Sequence, residues 1–206
     1  MMIRVFWAAA ALVLCLAVSS AGEFNKVLSI GDAAPAWENL EGTDGKKHSL
    51  TELKAKDVIV VLFTCNSCPT AASYEDRIIP FAKIHAGPDT KVALVAINVN
   101  LTKEDSLAEM TKRAQKKKLP YAYLFDPTQE IARKFGALYT PEFFVIDRDR
   151  KVVYMGALDD NDPPAEATTH FVELAVTATL AGKPTQKKET LGRGCMIRFA
   201  RKKSDD

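Results

Sequence analysis

The strongest constraint on the fold is a buried strand that leads directly into a helix, with two cysteines at the junction. Residues 57–63 end in six consecutive apolar side chains, which is typical of a strand covered on both faces. The next segment opens at Pro69 and mixes apolar with charged residues up to Ile84, which predicts a helix. A fully buried strand followed by a helix predicts an α/β fold.

The rest of the chain continues this alternation. Residues 31–48 are rich in Gly, Pro, Asp and Lys, which predicts a loop or a short hairpin. Pro80 is expected to kink the first helix. We predict further strands at 91–98, 121–125, 142–146 and 151–156, and helices at 103–118, 128–135 and 165–180. This order indicates one mixed sheet with helices on both faces.

Composition excludes several classes of protein. The 206 residues are 47% hydrophobic and 26% charged, which is ordinary for a globular chain and excludes extended disorder. A formal net charge of +2 provides no overall field that would attract nucleic acid or an anionic membrane, and we expect neither as a partner. The four cysteines are too few for a disulfide-dense miniprotein.

The amino terminus is typical of an export signal. Arg4 precedes an uncharged apolar run at residues 5–18, and small residues follow up to Ala21. The alternative is a retained membrane anchor, but the run is shorter than the ~20 residues of a bilayer span. We therefore predict a signal at 1–21, a folded domain at 22–182 and a basic tail at 183–206. The mature chain is expected in the periplasm or secreted, where disulfides persist.

The chemistry is predicted at Cys65-Asn66-Ser67-Cys68-Pro69, between the buried strand and its helix. Unpaired N–H groups and the partial positive charge of a helix N-terminus both stabilise a thiolate. Two intervening residues allow the two sulfurs to meet in a disulfide. A C-x-x-C motif in this context favours a catalytic dithiol, with Cys65 as the nucleophile and Cys68 as the resolving thiol.

The cysteine pair has three other interpretations. A structural disulfide would close a loop too short to constrain the unfolded chain much. Haem attachment requires His after the second cysteine, where Pro69 stands. Zinc would require two further ligands, and the remaining candidates form no second close pair: Cys195, His48, His85 and His170. We expect no metal and no cofactor beyond the thiols themselves.

A second signal is Thr140-Pro141, just before the strand predicted at 142–146. Alone it means little, because most X-Pro bonds are trans and proline is tolerated at the start of a strand. Together with the cysteine pair, residues 31–182 resemble the thioredoxin superfamily in its redoxin branch. The matching segments are 31–35, 63–69 and 135–147, and 194–199 resembles the end of a peroxiredoxin-like subgroup.

The resemblance implies a thioredoxin-like fold, a nucleophile at Cys65 and a cis proline at Pro141 that packs against the disulfide. It also implies that the backbone at Thr140 pairs with an extended substrate. Two features depart from the family. Thr64 replaces the usual aromatic residue, and Asn66-Ser67 replaces Gly-Pro between the cysteines, which leaves the direction of electron flow open.

Three functions follow. The first is a thiol–disulfide oxidoreductase acting on protein or small disulfides, with an electron donor or acceptor protein as its partner. The second is a peroxidase, since a peroxiredoxin resembles this turn with Thr in the place of Cys65 and its peroxidatic cysteine in the place of Cys68. Cys65 or Cys195 would then resolve the sulfenic acid. The third is a metal-binding or copper-delivery module that uses both cysteines and one histidine.

Three further residues are candidates for a functional role, and each also has a purely structural interpretation. Glu142 is a candidate proton acceptor for Cys68, although an exposed carboxylate at a strand end is the stronger expectation. Cys195 is either a third redox thiol or a small buried residue. His170 falls on the polar side of its predicted helix, which argues against a ligand role.

Overall fold

The structure is a computed structural model that describes residues 22–161, 163 and 166–201. The predicted export signal at 1–21 lies outside the described residues. A seven-stranded sheet has the order β2-β1-β5-β4-β3-β7-β8. Its strands are β1 Leu40–Gly42, β2 Lys47–His48, β3 Val58–Thr64, β4 Val92–Asn98, β5 Ala122–Phe125, β7 Glu142–Ile146 and β8 Val152–Gly156. The helices are α1 Pro69–His85, α2 Leu107–Lys117, α3 Glu130–Phe135 and α4 Phe171–Leu180.

Strand β3 lies inside the sheet, as its apolar sequence predicts. It pairs in parallel with β4 and antiparallel with β7, so the sheet is mixed. Its side chains alternate between two cores. Ile59, Val61 and Phe63 contact the core under α3, and the residues between them contact the core under α1 and α4. The predicted α/β class, with helices on both faces of a mixed sheet, is confirmed.

Two helices begin several residues after their predicted starts. The segment predicted as one helix at 103–118 begins with a separate turn of 3-10 helix, Lys103–Asp105, and α2 starts only at Leu107. The break falls at Ser106, whose backbone is extended. The helix predicted at 165–180 begins at Phe171. Pro80 lies inside α1, which continues to His85.

The chain after α4 returns to the cysteine end of the sheet. Strand β9, Cys195–Met196, pairs antiparallel with β6, Tyr139–Thr140. Ile197 follows β9, donates its backbone N–H to Leu138 O at 2.8 Å and is buried in the core under α3. Within the described ranges, no helix is both long and apolar enough to cross a membrane.

Candidate active site

Both predicted cysteines lie where β3 ends and α1 begins. Cys68 is the N-cap of α1, and its Sγ accepts the backbone N–H of Ala71 at 3.4 Å. Both side chains are almost completely covered, with Cys65 3% and Cys68 2% exposed. The helix N-terminus therefore donates directly to the sulfur of Cys68, whereas Cys65 lies one short loop before the helix.

The loop between the cysteines is held by Asp105, a residue that the sequence analysis did not identify. Its Oδ1 accepts the backbone N–H groups of Asn66 at 2.7 Å and Ser67 at 3.2 Å. Its Oδ2 accepts the hydroxyls of Ser67 at 2.6 Å and Thr102 at 2.7 Å. The side chain is fully buried. Because the carboxylate binds two successive amides, it fixes the backbone that separates the sulfurs.

Two further buried side chains complete this network. Asn98, at the end of β4, donates its amide to Asp105 Oδ1 at 3.3 Å. Tyr123 donates its hydroxyl to Asn66 Oδ1 at 3.0 Å. Burial raises the pKa of Tyr123 well above its usual value, and its electrostatic interactions with the neighbouring Cys65 and Asp105 side chains act in the same direction. Tyr123 is therefore a fixed hydrogen-bond donor to the loop at neutral pH.

The structure brings the predicted Thr140-Pro141 pair against the cysteines. The Thr140–Pro141 peptide bond is cis, as the resemblance implied. The hydroxyl of Thr140 lies 3.4 Å from Cys65 Sγ and also donates to Cys195 O at 3.4 Å. Its carbonyl oxygen lies 3.2 Å from Cys68 Sγ. One buried threonine thus contacts all three cysteines that the structure describes.

The disulfide in the structure joins Cys68 to Cys195, with a Cα–Cα distance of 6.0 Å, and Cys65 is a free thiol. The C-x-x-C motif instead predicts a disulfide between Cys65 and Cys68, three positions apart in the sequence. The pairing on β6 accounts for the difference, because it places Cys195 directly opposite Thr140. Cys65 lies in the same small cluster of buried residues as this disulfide.

Glu142 is buried, contrary to the expectation of an exposed carboxylate at a strand end. It stands at the start of β7 and pairs with Phe63 of β3, inside the sheet. Its Oε2 accepts the backbone N–H groups of Leu138 at 2.7 Å and Tyr139 at 2.9 Å. Burial raises the pKa of Glu142 to about 7, and these two hydrogen bonds oppose the rise. The carboxyl group therefore holds β6, the strand that pairs with Cys195.

Two of the candidate histidine ligands lie away from the cysteines. His48 faces Asp44 and Glu52, and His85 faces Glu173, all outside the cysteine cluster. Over the part of the chain that the structure describes, no group of three or more His, Cys, Asp or Glu residues is placed to hold a metal ion.

Comparisons with known proteins identify a matching family model and proteins of similar fold. Residues 29–170 match the family model described as Redoxin. A chloroplastic peroxiredoxin Q from Suaeda salsa is 29% identical over 133 residues, which cover 59% of this chain and 56% of that protein. The chain thus spans little more than half the length of this curated relative.

Two solved structures cover most of the chain. An uncharacterized conserved protein from Geobacillus kaustophilus is 33% identical with a TM-score of 0.78, covering 85% of this chain and 95% of that one. A hypothetical protein from Sinorhizobium meliloti 1021 is 30% identical with a TM-score of 0.77, covering 84% and 96%. A peroxidoxin and a thioredoxin domain of a thiol-disulfide oxidoreductase, at 20% and 18% identity, share the thioredoxin-like fold alone.

Proposed function

Because this chain belongs to the Redoxin family and is an oxidoreductase acting on sulfur groups, we propose that it is a thiol–disulfide oxidoreductase whose dithiol is Cys65 and Cys68. One observation carries the proposal. A free thiol, Cys65, lies in one buried cluster with a sulfur that is already in a disulfide, Cys68. Exchange between a thiolate and an adjacent disulfide is the elementary step of this enzyme class.

In the exchange, Cys65 attacks one sulfur of a substrate disulfide and the other substrate sulfur leaves as a thiolate. Cys68 then attacks Cys65 Sγ, the second substrate sulfur leaves, and the enzyme retains a Cys65–Cys68 disulfide. The Thr140 hydroxyl, 3.4 Å from Cys65 Sγ, can donate to the Cys65 thiolate. The N–H of Ala71 can do the same for Cys68.

We further propose that the mature chain works outside the cytoplasm, on a disulfide-containing protein or small molecule, with a dithiol or disulfide protein as its redox partner. The predicted export signal and the cysteine chemistry support this placement.

The test is the reduction of a fluorescent peptide disulfide by the full chain, with dithiothreitol as the electron source. Cys65→Ser and Cys68→Ser are each expected to lower the rate by about 100-fold or more, since each removes one half of the dithiol. Cys15→Ser, in the predicted signal, is the matched control and is expected to change nothing. Full activity in either active-centre variant would contradict the proposal.

A second function is favoured by the disulfide itself. In a peroxidase, peroxide oxidises Cys68 to a sulfenic acid with loss of an alcohol or water. Cys195 then attacks that sulfur, water leaves, and the product is the Cys68–Cys195 disulfide that the structure contains. Peroxide consumption separates the two functions. A peroxidase of this kind loses activity in Cys68→Ser and keeps it in Cys65→Ser, whereas exchange requires both thiols.

A further inference from the structure

The segment that carries Cys195 is anchored to the fold on its carboxyl side. Gln129 Nε2 donates to Arg198 O at 2.9 Å, and Gln129 Oε1 accepts the N–H of Ala200 at 2.7 Å. Arg133 donates to Ala200 O at 2.8 Å and stacks on the ring of Phe199. With Ile197 buried in the core, these contacts hold the segment independently of its disulfide.

The three cysteines at the site differ in their exposure to solvent. Cys65 and Cys68 are 3% and 2% exposed, so a disulfide on another protein has almost no surface to reach. Cys195 is partly exposed, and its neighbour Met196 is 69% exposed. Cys195 therefore connects the buried dithiol to solvent.

The edge of β6 is also occupied. A protein substrate that used Thr140 as its pairing strand would have to displace β9, which pairs with both residues of β6. At Gly194, the backbone just before β9 lies very close to Thr140 and Pro141. The φ of this glycine is +139°, and a Cβ at this position would collide with Thr140 O and lie 3.0 Å from Pro141 Cδ. The close fit favours a permanent occupant over one that is displaced in every turnover.

We propose that Cys195 is a third exchanging thiol, through which all disulfides on other proteins enter and leave the site. The proposal rests on the proposed dithiol, and it moves the first attack on a protein disulfide from Cys65 to Cys195. The expected substrate is therefore a protein whose disulfide is exposed at its surface and can reach the edge of β9.

The relay balances without an added oxidant. The Cys195 thiolate attacks a substrate disulfide, and one substrate sulfur leaves as a thiolate that takes up a proton. Cys68 attacks Cys195 Sγ and the second substrate sulfur leaves, which gives the Cys68–Cys195 disulfide of the structure. Cys65 then attacks Cys68 Sγ, and Cys195 leaves as a thiolate that takes the proton lost by Cys65. The substrate gains two electrons, and the enzyme retains one disulfide, Cys65–Cys68.

Anchoring of the segment accelerates the exchange steps between Cys195 and the buried cysteines. Gln129, Arg133 and the buried Ile197 fix the backbone that presents Cys195, so its sulfur meets Cys68 as a tethered group. Tethering replaces a diffusive encounter by an intramolecular one at high effective concentration.

The test measures reduction of a protein disulfide, that of insulin, by the full chain carrying Cys15→Ser. Cys195→Ser is expected to lower the rate by about tenfold or more, because the tethered entry thiol is lost. The control is Ile84→Ser, which changes an exposed apolar side chain near the carboxyl end of α1 and is expected to leave the rate unchanged. Equal or faster reduction by Cys195→Ser would overturn the relay.

Trapped intermediates identify the thiol that attacks first. In Cys68→Ser, the resolving step is blocked, so mass spectrometry of the proteolysed complex should find insulin attached to Cys195. Attachment to Cys65 would overturn the relay but leave the proposed dithiol intact. In Cys65→Ser, the oxidised chain should stop at the Cys68–Cys195 disulfide.

Failure of the proposed function has a different signature. If Cys65→Ser and Cys68→Ser both reduce insulin at the rate of the parent chain, the dithiol itself is wrong. If only Cys195→Ser does so, the dithiol stands and the substrate enters directly at the buried pair.

Discussion

Removing the carboxylate of Asp105 tests whether this residue holds the loop between the cysteines. In Asp105→Ala, the backbone N–H groups of Asn66 and Ser67 lose their acceptor, while the hydroxyls of Ser67 and Thr102 can rotate to other partners. An unsatisfied buried N–H costs about 1–3 kcal/mol. Since this loop is partly open to water, we expect a loss of about 3 kcal/mol for the two amides together.

The assay is equilibrium unfolding in urea, followed by tryptophan fluorescence. With a slope of about 2 kcal/mol per molar for a chain of this size, the midpoint should fall by about 1.5 M. Asp105→Asn is the matched variant, because its amide oxygen can still accept both N–H groups, and its loss should stay near 1 kcal/mol. Asp76→Ala, at a mostly exposed side chain of α1, should change stability by less than about 0.5 kcal/mol. A loss below about 1 kcal/mol in Asp105→Ala would refute the account of the loop.

Two further predictions concern buried charges. Because the folded-state pKa of Glu142 is about 7 against its ordinary value of 4.5, this residue's contribution to stability is fully present below 4.5 and is lost as the pH rises through 7. The free energy of unfolding should fall by about 3 kcal/mol between pH 4.5 and 8, and Glu142→Gln, measured in parallel, should remove that slope. Arg77 Nη1 lies 2.6 Å from Oδ2 of the fully buried Asp159. Arg77→Gln should therefore lower the free energy of unfolding by about 3 kcal/mol at pH 7 in the same assay, because it leaves a buried carboxylate without its partner. The double variant Arg77→Gln with Asp159→Asn should regain a large part of that loss.

The elements next to the site were predictable because their signals are local. Six apolar residues in a row require a strand with two covered faces, and Pro69 marks the first turn of α1. The hairpin at residues 40–48 follows from its turn residues in the same way. The cis bond before Pro141 came only with the family resemblance, since most X-Pro bonds are trans.

The features that the sequence analysis missed depend on contacts between distant segments. Asp105 lies 38 residues from Ser67 along the chain, and its sequence context is that of a charged helix start. Glu142 was expected at the surface because a glutamate at a strand end is usually exposed, but β7 lies between β3 and β8. The partner of Cys195 depends on the register of β9 on β6, which no local pattern specifies.

The Cys68–Cys195 bond closes a large covalent ring in the polypeptide, since its two cysteines are separated by 127 positions. A ring of this size removes about 5 kcal/mol of conformational freedom from the unfolded chain, whereas a ring of four residues removes only about 2 kcal/mol. For a fold that accommodates both bonds equally well, transferring the disulfide of Cys68 from Cys195 to Cys65 therefore lowers the free energy of unfolding by about 3 kcal/mol. The position of the disulfide within the site thereby also sets how long the protein survives proteolysis, with the large ring as the more durable form.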